Sequence, residues 1–326
     1  MRLAVTGATG FIGGRLCRYL KRRGEDVRGI VRSGRTDGVS QVDDIATISA
    51  DVTDATSLKK AFRGVDVVLH LAALFNRPEA SWEEYRRVNV GGVRNVLEAA
   101  RASGVSRVVH CSTVGVATGA GSPPYSEATP YSPPPWDKYE TTKCEGEKLA
   151  LDFHRSTGYP VVVIRPAQVY GPGDKSKAKF YRMVKSGIIV DPGHTFKHLV
   201  YIDDMCQAFQ LASEADEAVG EVFIIAGRRP ILLKDLIATV AEQLGVPYPK
   251  VALPATLISW LCTSTEMACN LANVKPILFR RSMDFFTRSV RFDASKARDV
   301  LRFEDSIDVP HGVAKTARWY KEKGLV

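Results

Sequence analysis

Leu3-Ala4-Val5-Thr6-Gly7-Ala8-Thr9-Gly10-Phe11-Ile12-Gly13 is the stretch whose reading decides the fold. Leu3–Thr6 is a short apolar and β-branched run that reads as a strand, and apolar positions recur at helical spacing from Phe11 to Arg23. Between the two, Gly7 allows a tight turn, Gly10 lets the backbone come close to a pyrophosphate, and Gly13 lets the helix pack directly on the strand. The amides around Thr9, Phe11 and Ile12 then lie at the positive end of the helix dipole. A glycine turn of packing value alone would show the same letters; the strand before it and the helix after it favour the phosphate cradle.

Outward from this turn, Val27–Val31, Ala46–Ser49, Val65–Leu69, Arg107–Cys111 and Val161–Arg165 read as further strands. Ser57–Phe62, Trp82–Ser103 and Asp137–Thr157 read as helices between them. Strands alternating with amphipathic helices, several of the strands continuously apolar, predict an α/β fold with a doubly wound parallel sheet over residues 1–169. The chain is expected to return to that sheet near 199–225, with 170–326 forming mainly a smaller C-terminal substrate lobe. Pro123, Pro124, Pro130, Pro133, Pro134 and Pro135 stiffen a long loop before the 137–157 helix, which is either a substrate wall or a rigid surface excursion.

The whole chain has 326 residues, 25% charged and 45% hydrophobic, a composition that excludes fibrous, disordered and small disulfide-bonded classes. Its net charge of +9 is unevenly placed: residues 1–40 hold nine cations against three anions, which suits a phosphate-bearing small molecule; no nucleic-acid partner is expected. The six cysteines are scattered with no C-x-x-C pair, so no metal site and no disulfide framework is expected, and a cytoplasmic location fits. No apolar run approaches the ~20 residues of a membrane span.

Further candidates lie at the ends of the expected strands. Arg32 stands where a ribose-reading acid is common and can clamp a 2′-phosphate, although a solvated cation would look the same. Asp51 and Val52 follow the third strand and suit an adenine edge; Leu71, Ala72 and Ala73 follow the fourth and leave room for a dinucleotide. Tyr139 and Lys143, four apart, share one helix face, where an ammonium can stabilise a phenolate and make the phenol a working acid. Ser112 and Thr113 place hydroxyls at the carboxyl edge of the sheet, where open α/β folds bind ligands.

Taken in order, the glycine pattern, Asp51-Val52, Leu71-Ala72-Ala73, Asn89-Val90, Ser112-Thr113, Tyr139-x-x-x-Lys143 and Arg165-Pro166-Ala167-Gln168-Val169 closely resemble the extended short-chain dehydrogenases/reductases. The resemblance covers almost the whole chain and implies a Rossmann domain that binds NADP or NAD. It further implies Tyr139 as general acid/base, Lys143 on the nicotinamide ribose, Thr113 on the reacting oxygen, and the Pro166 to Val169 loop as the nicotinamide wall. A homodimer through the 82–103 and 137–157 helices is also implied.

Within that family, Val114-Gly115 after Thr113 departs from the Asp-Glu of the 4,6-dehydratases. Gln168, Lys197 and His198 stand where nucleotide-sugar epimerases more often place Asn and Arg. Val27–Arg32 and the segment Phe292–Arg298 look more like the 3β-hydroxysteroid dehydrogenase and dihydroflavonol reductase branches. The expectation is an NADP(H)-dependent oxidoreductase interconverting a secondary alcohol and a ketone on an apolar, steroid-like or polycyclic substrate, with Phe75, Thr113, Gln168 and His198 on the substrate side and the apolar stretch 251–286 as a further wall. An NAD-dependent nucleotide-sugar 4-epimerase and a non-catalytic cofactor-sensing protein are the alternatives.

Overall fold

Short β-branched strands alternate with helices for the first 166 residues. In this computed structural model, which describes residues 1–32, 45–119, 121–254, 256, 258, 260, 264 and 280–326, the elements run β1 (Arg2–Thr6), α1 (Phe11–Arg22), β2 (Asp26–Val31), β3 (Ala46–Ser49), α2 (Ala55–Ala61), β4 (Val67–His70), α3 (Trp82–Arg86), a π-helical turn (Arg87–Gly91), α4 (Gly92–Ala102), β5 (Arg107–Cys111), α5 (Lys138–Thr157) and β6 (Val161–Pro166). There follow β7 (Gln168–Tyr170), α6 (Ala178–Lys185), β8 (Ile188–Val190), β9 (Phe196–Lys197), β10 (Leu199–Tyr201), α7 (Ile202–Glu214), β11 (Val222–Ile225), β12 (Ile231–Leu232), α8 (Leu233–Leu244) and β13 (Val251–Leu253). Helices over Arg280–Thr287, Ser295–Leu301 and Val309–Glu322 complete the chain.

Two compact units result: Met1–Ala167 with Ile202–Ile225 and Asp293–Glu304, and Gln168–Tyr201 with Ala226–Phe292 and Asp305–Val326. The first holds a seven-stranded sheet in the order β11-β6-β5-β4-β1-β2-β3, and every pairing in it is parallel. The order reverses between β1 and β4, so the carboxyl ends of those two strands open the crevice where doubly wound sheets take their ligands. The strands at the centre are buried along their length, which accounts for their unbroken apolar runs: all four residues of β4 and all six of β6 are inside. On one face Leu58 and Phe62 beside α2, and Val93, Val96 and Leu97 of α4, pack over Val68, Val108 and Val161.

Gly13 seats α1 on the first turn. A Cβ at that position would lie 2.2 Å from the Gly7 carbonyl oxygen, so no larger residue fits without moving the helix. Gly7 itself has φ +73°, a conformation that L side chains avoid.

Two sequence expectations shift. The helix expected over Trp82–Ser103 is interrupted by the π turn at Arg87–Gly91, because buried Asn89 turns its amide inward to the loop after β4. The fourth strand begins at Val67, since the Val65 amide closes a turn onto the Phe62 carbonyl at 3.1 Å. Ile202–Ile225 and Asp293–Glu304 fold with the first unit, where Lys296 pairs with Glu221 at 2.6 Å.

Among the described residues the second unit holds three two-stranded ladders, β10 with β7, β12 with β9, and β13 with β8. Tyr320, wholly buried, donates its hydroxyl to the Asp174 carbonyl at 2.5 Å and closes this unit's C-terminal helix onto the start of its chain. Most of the apolar stretch 251–286 lies outside the described residues. Among the described residues no helix is long and apolar enough to cross a membrane.

Two histidines sit inside the first unit's sheet as cross-strand partners, His70 on β4 and His110 on β5, with ring centroids 5.3 Å apart. Thr6 Oγ1 accepts the Leu71 and Ala72 amides, both at 3.1 Å, so its own hydrogen goes to His70 Nδ1 at 2.8 Å. Burial, with the Lys143 ammonium adding to it, pulls the His70 pKa down to about 3 and holds His110 well below its ordinary value. Both rings therefore stay neutral in the folded chain while the unfolded chain protonates them from about pH 6.5 downwards. That linkage removes stability as the pH falls below about 6.5, and His110→Leu should shrink the drop in unfolding free energy between pH 7 and pH 5 by about 1–2 kcal/mol. Urea titrations of both proteins at the two pH values measure it; an unchanged drop contradicts the assignment.

Candidate active site

The turn from β1 into α1 is a cradle made of backbone. Gly10 caps α1 with extended φ and ψ and no side chain covers the helix end; the first turn carries no acidic residue. The Gly10 amide closes onto the Gly7 carbonyl at 2.9 Å, and Thr9 and Gly10 are exposed while Phe11 and Ile12 are half-buried. A Cβ on Gly7 would lie 2.9 Å from the Ala72 amide nitrogen, so the loop after β4 runs directly against the cradle. The geometry fits a dinucleotide pyrophosphate: a helix N-terminus with no side-chain cap hydrogen bond, its positive dipole end at exposed Thr9 and Gly10, and a turn whose backbone packs too closely for larger residues at Gly7 and Gly13.

The remaining cofactor candidates ring the same sheet edge. Arg32 is exposed just past the end of β2. Asp51 anchors the turn after β3, its Oδ1 accepting the Thr53 amide and hydroxyl at 2.8 Å each. Val52 is buried beneath Gly92 of α4, and its carbonyl accepts from Asn95 at 2.9 Å. Leu71, Ala72 and Ala73 are half-buried. Pro166 ends β6 opposite Ile225.

At the end of β5 the two neighbouring hydroxyls part company. Ser112 is buried and donates to the Glu147 carboxylate. Thr113 is half-buried and accepts the Gly115 amide at 3.2 Å, which leaves its own hydrogen to donate to a reacting oxygen. The helix that carries Tyr139 and Lys143 is fixed at its start: Asp137 caps α5 by accepting the Tyr139 and Glu140 amides at 2.9 and 3.1 Å. One turn on from Tyr139, the buried Lys143 ammonium donates to the Cys111 carbonyl at 2.5 Å, reaching the last residue of β5. Burial pushes the Lys143 pKa below the usual lysine range. Asn89 adds a brace, accepting the Leu74 amide at 2.7 Å and donating to Thr142 at 3.0 Å, so the loop after β4 and α5 move together.

Glu147, one further turn along α5, was not among the sequence candidates. It is wholly buried and accepts from Ser112, from the Tyr131 hydroxyl at 2.8 Å and from Arg165, whose Nη2 lies at 2.6 Å and Nε at 3.0 Å. Charged letters inside the apolar Val161–Pro166 run and on the inner face of α5 were the available signal.

Phe75 is half exposed and meets the Tyr139 ring edge-on with centroids 4.8 Å apart, an apolar neighbour to the phenol. Trp136, just before the cap of α5, is also exposed. The Pro-rich loop is stitched down: Ser132 and Gly119 exchange backbone contacts with Val116 and Ser132, and Glu127 accepts the Ile224 amide of edge strand β11 at 2.8 Å. The remaining candidates belong to the second unit. Val169 is buried in its ladder with β10, while Gln168 carries a buried amide oxygen with no hydrogen-bond partner. His198 is a correction: its Nε2 lies 2.7 Å from the Gly227 carbonyl, its Nδ1 accepts the Phe292 amide at 3.0 Å, and its ring stacks on Phe292, so both nitrogens serve the backbone and none is left for substrate.

Residues 3–226 match the NAD dependent epimerase/dehydratase family. The chain is 29% identical over 307 residues to a 3beta-hydroxysteroid-dehydrogenase/decarboxylase of Arabidopsis thaliana, covering 88% of this chain and 67% of that protein. It is 27% identical over 338 residues to a 3 beta-hydroxysteroid dehydrogenase/Delta 5-->4-isomerase of Mycobacterium tuberculosis, covering 98% and 90% respectively. The solved structure of gox2253 superposes over 100% of this chain and 99% of its own, with a TM-score of 0.82 at 25% identity. The cradle at β1, the hydroxyl at β5 and the Tyr139–Lys143 face are thus found in a chain that belongs to the NAD dependent epimerase/dehydratase family.

Proposed function

We propose that this chain is an NADP(H)-dependent oxidoreductase that interconverts a secondary alcohol and a ketone on an apolar, steroid-like or polycyclic substrate. The observation that carries it is the Lys143 ammonium on the carbonyl that ends β5, two residues before Thr113, with Tyr139 one turn earlier on the same helix. The nicotinamide, when bound, supplies the hydride exchange at its C4. Thr113 donates to the reacting oxygen and orients it. Tyr139 gives that oxygen a proton in reduction and takes one in oxidation. Lys143 stabilises the phenolate, and its Cys111 anchor fixes where its remaining hydrogens point.

The substrate class has three supports. The 3β-hydroxysteroid dehydrogenases above act on a fused-ring alcohol by name, and a Stigmatella aurantiaca relative, 30% identical over 256 residues and covering 76% of this chain and 74% of its own, is a ketoreductase. Phe75 places an exposed apolar ring against Tyr139. The nucleotide-sugar alternative needs cations for a diphosphate, yet in the second unit Lys197 is buried with its ammonium on the carbonyls of Arg288 and Asp284, at 2.6 and 3.4 Å. Burial brings that lysine's pKa down to about 7, with the nearby Asp284 opposing the shift.

A panel of hydroxysteroids and polycyclic ketones, with NADPH or NADP, tests the reading: turnover of some members is expected and none of UDP- or GDP-sugars, and 4-epimerisation without net cofactor use would overturn it. Tyr139→Phe keeps the ring and removes the proton donor, so kcat should fall by at least ~10²-fold while cofactor affinity holds. Near-parental turnover in that variant would dismiss the relay. Arg32 carries the choice of NADP: charge-assisted bonds to a 2′-phosphate predict that Arg32→Ala weakens NADPH about 10- to 100-fold and leaves NADH almost unchanged. Fluorescence titration with both cofactors decides between that role and a surface cation, which would weaken neither.

A further inference from the structure

We propose that the Glu147–Arg165 ion pair is a positioning device for the reaction, setting the register of α5, which carries Tyr139 and Lys143, against the end of β5, which carries Thr113. The pair lies inside the first unit with side chains 0% and 3% exposed. Each partner of the Glu147 carboxylate sits beside a site group: Ser112 precedes Thr113, Arg165 precedes Pro166, and Tyr131 belongs to the Pro-rich loop ahead of the α5 cap. Glu147 itself is one helical turn beyond Lys143, which reaches the same end of β5 through Cys111. Two adjacent residues of β5 and its exit are therefore held by two successive turns of α5.

Stability alone explains the pair poorly. Withdrawing two charges from water cancels most of their attraction, and apolar residues of similar size commonly replace such pairs at no loss. The fork is also incompletely satisfied, since buried Arg165 Nη1 has no hydrogen-bond partner among the described residues. What an ion pair with two hydroxyl donors supplies and an apolar contact does not is direction: a fixed angle between helix and strand, within the few tenths of an ångström on which proton transfer depends.

The proposal rests on the Tyr139 relay and is independent of substrate class, so the test needs a readout without substrate. Glu147→Met/Arg165→Met removes both charges at similar volume. The Tyr139 phenolate is titrated by ultraviolet difference, each protein against its own Tyr139→Phe counterpart, with the unfolding midpoint and NADPH affinity measured alongside. The double variant is expected to fold, to bind NADPH within about threefold of the parent, and to raise the Tyr139 midpoint by about one pH unit or more as Lys143 loses its placement. With a turned-over ketone, kcat should fall about tenfold or more with KM nearly constant. A folded double variant whose Tyr139 midpoint stays put overturns the proposal. Ser112→Ala, which leaves the charges paired, decides the matter if the double variant does not fold: a raised midpoint supports the proposal, an unmoved one ends it. Failure of the relay itself would show separately, as turnover surviving Tyr139→Phe in the parent.

Discussion

Everything in the first unit depends on a contact between two pieces of backbone, Gly13 on the Gly7 carbonyl. That closeness brings α1 onto the end of β1 with no side-chain cap hydrogen bond at its amide end, beside the place where the strand order reverses between β1 and β4. Thr6 completes the junction by accepting two amides from the far side of the crevice, so the end of β1 and the loop after β4 are tied together. A ligand arriving there meets donors that are already oriented, which is the condition for electrostatic preorganisation.

Behind that edge the unit contains more buried polar chemistry than a packing core requires. Lys143, Glu147, Arg165, His70 and His110 are all inside, within three neighbouring strands and one helix. Each lowers stability if left alone and is tolerated because a partner or neutrality compensates it. The histidines remain neutral, Lys143 holds a strand-end carbonyl, and the carboxylate and guanidinium hold each other.

The second unit applies the same polar groups differently. His198, a substrate candidate by letter alone, and its neighbour Lys197 close backbone carbonyls near the 280–287 helix and the Gly227 turn. A basic residue beside a strand end is thus a poor indicator of anion binding until its own neighbours are known.

The sequence by itself determined what depends on local period and spacing. Glycines at 7, 10 and 13 dictate a strand-turn-helix, β-branched runs dictate parallel strands, and a spacing of four puts Tyr139 and Lys143 on one face, because each follows from backbone geometry within a few residues. Tertiary structure alone decided the rest. That Ser112 gives its hydroxyl to Glu147, that Asn89 reaches from the π turn to Leu74 and Thr142, that Asp293–Glu304 rejoins the first unit, and that both His198 nitrogens meet backbone are all settled by partners distant in the chain. Hydrogen-bond direction is fixed by which groups meet in space, and a one-dimensional pattern carries the identities of those groups without their meetings.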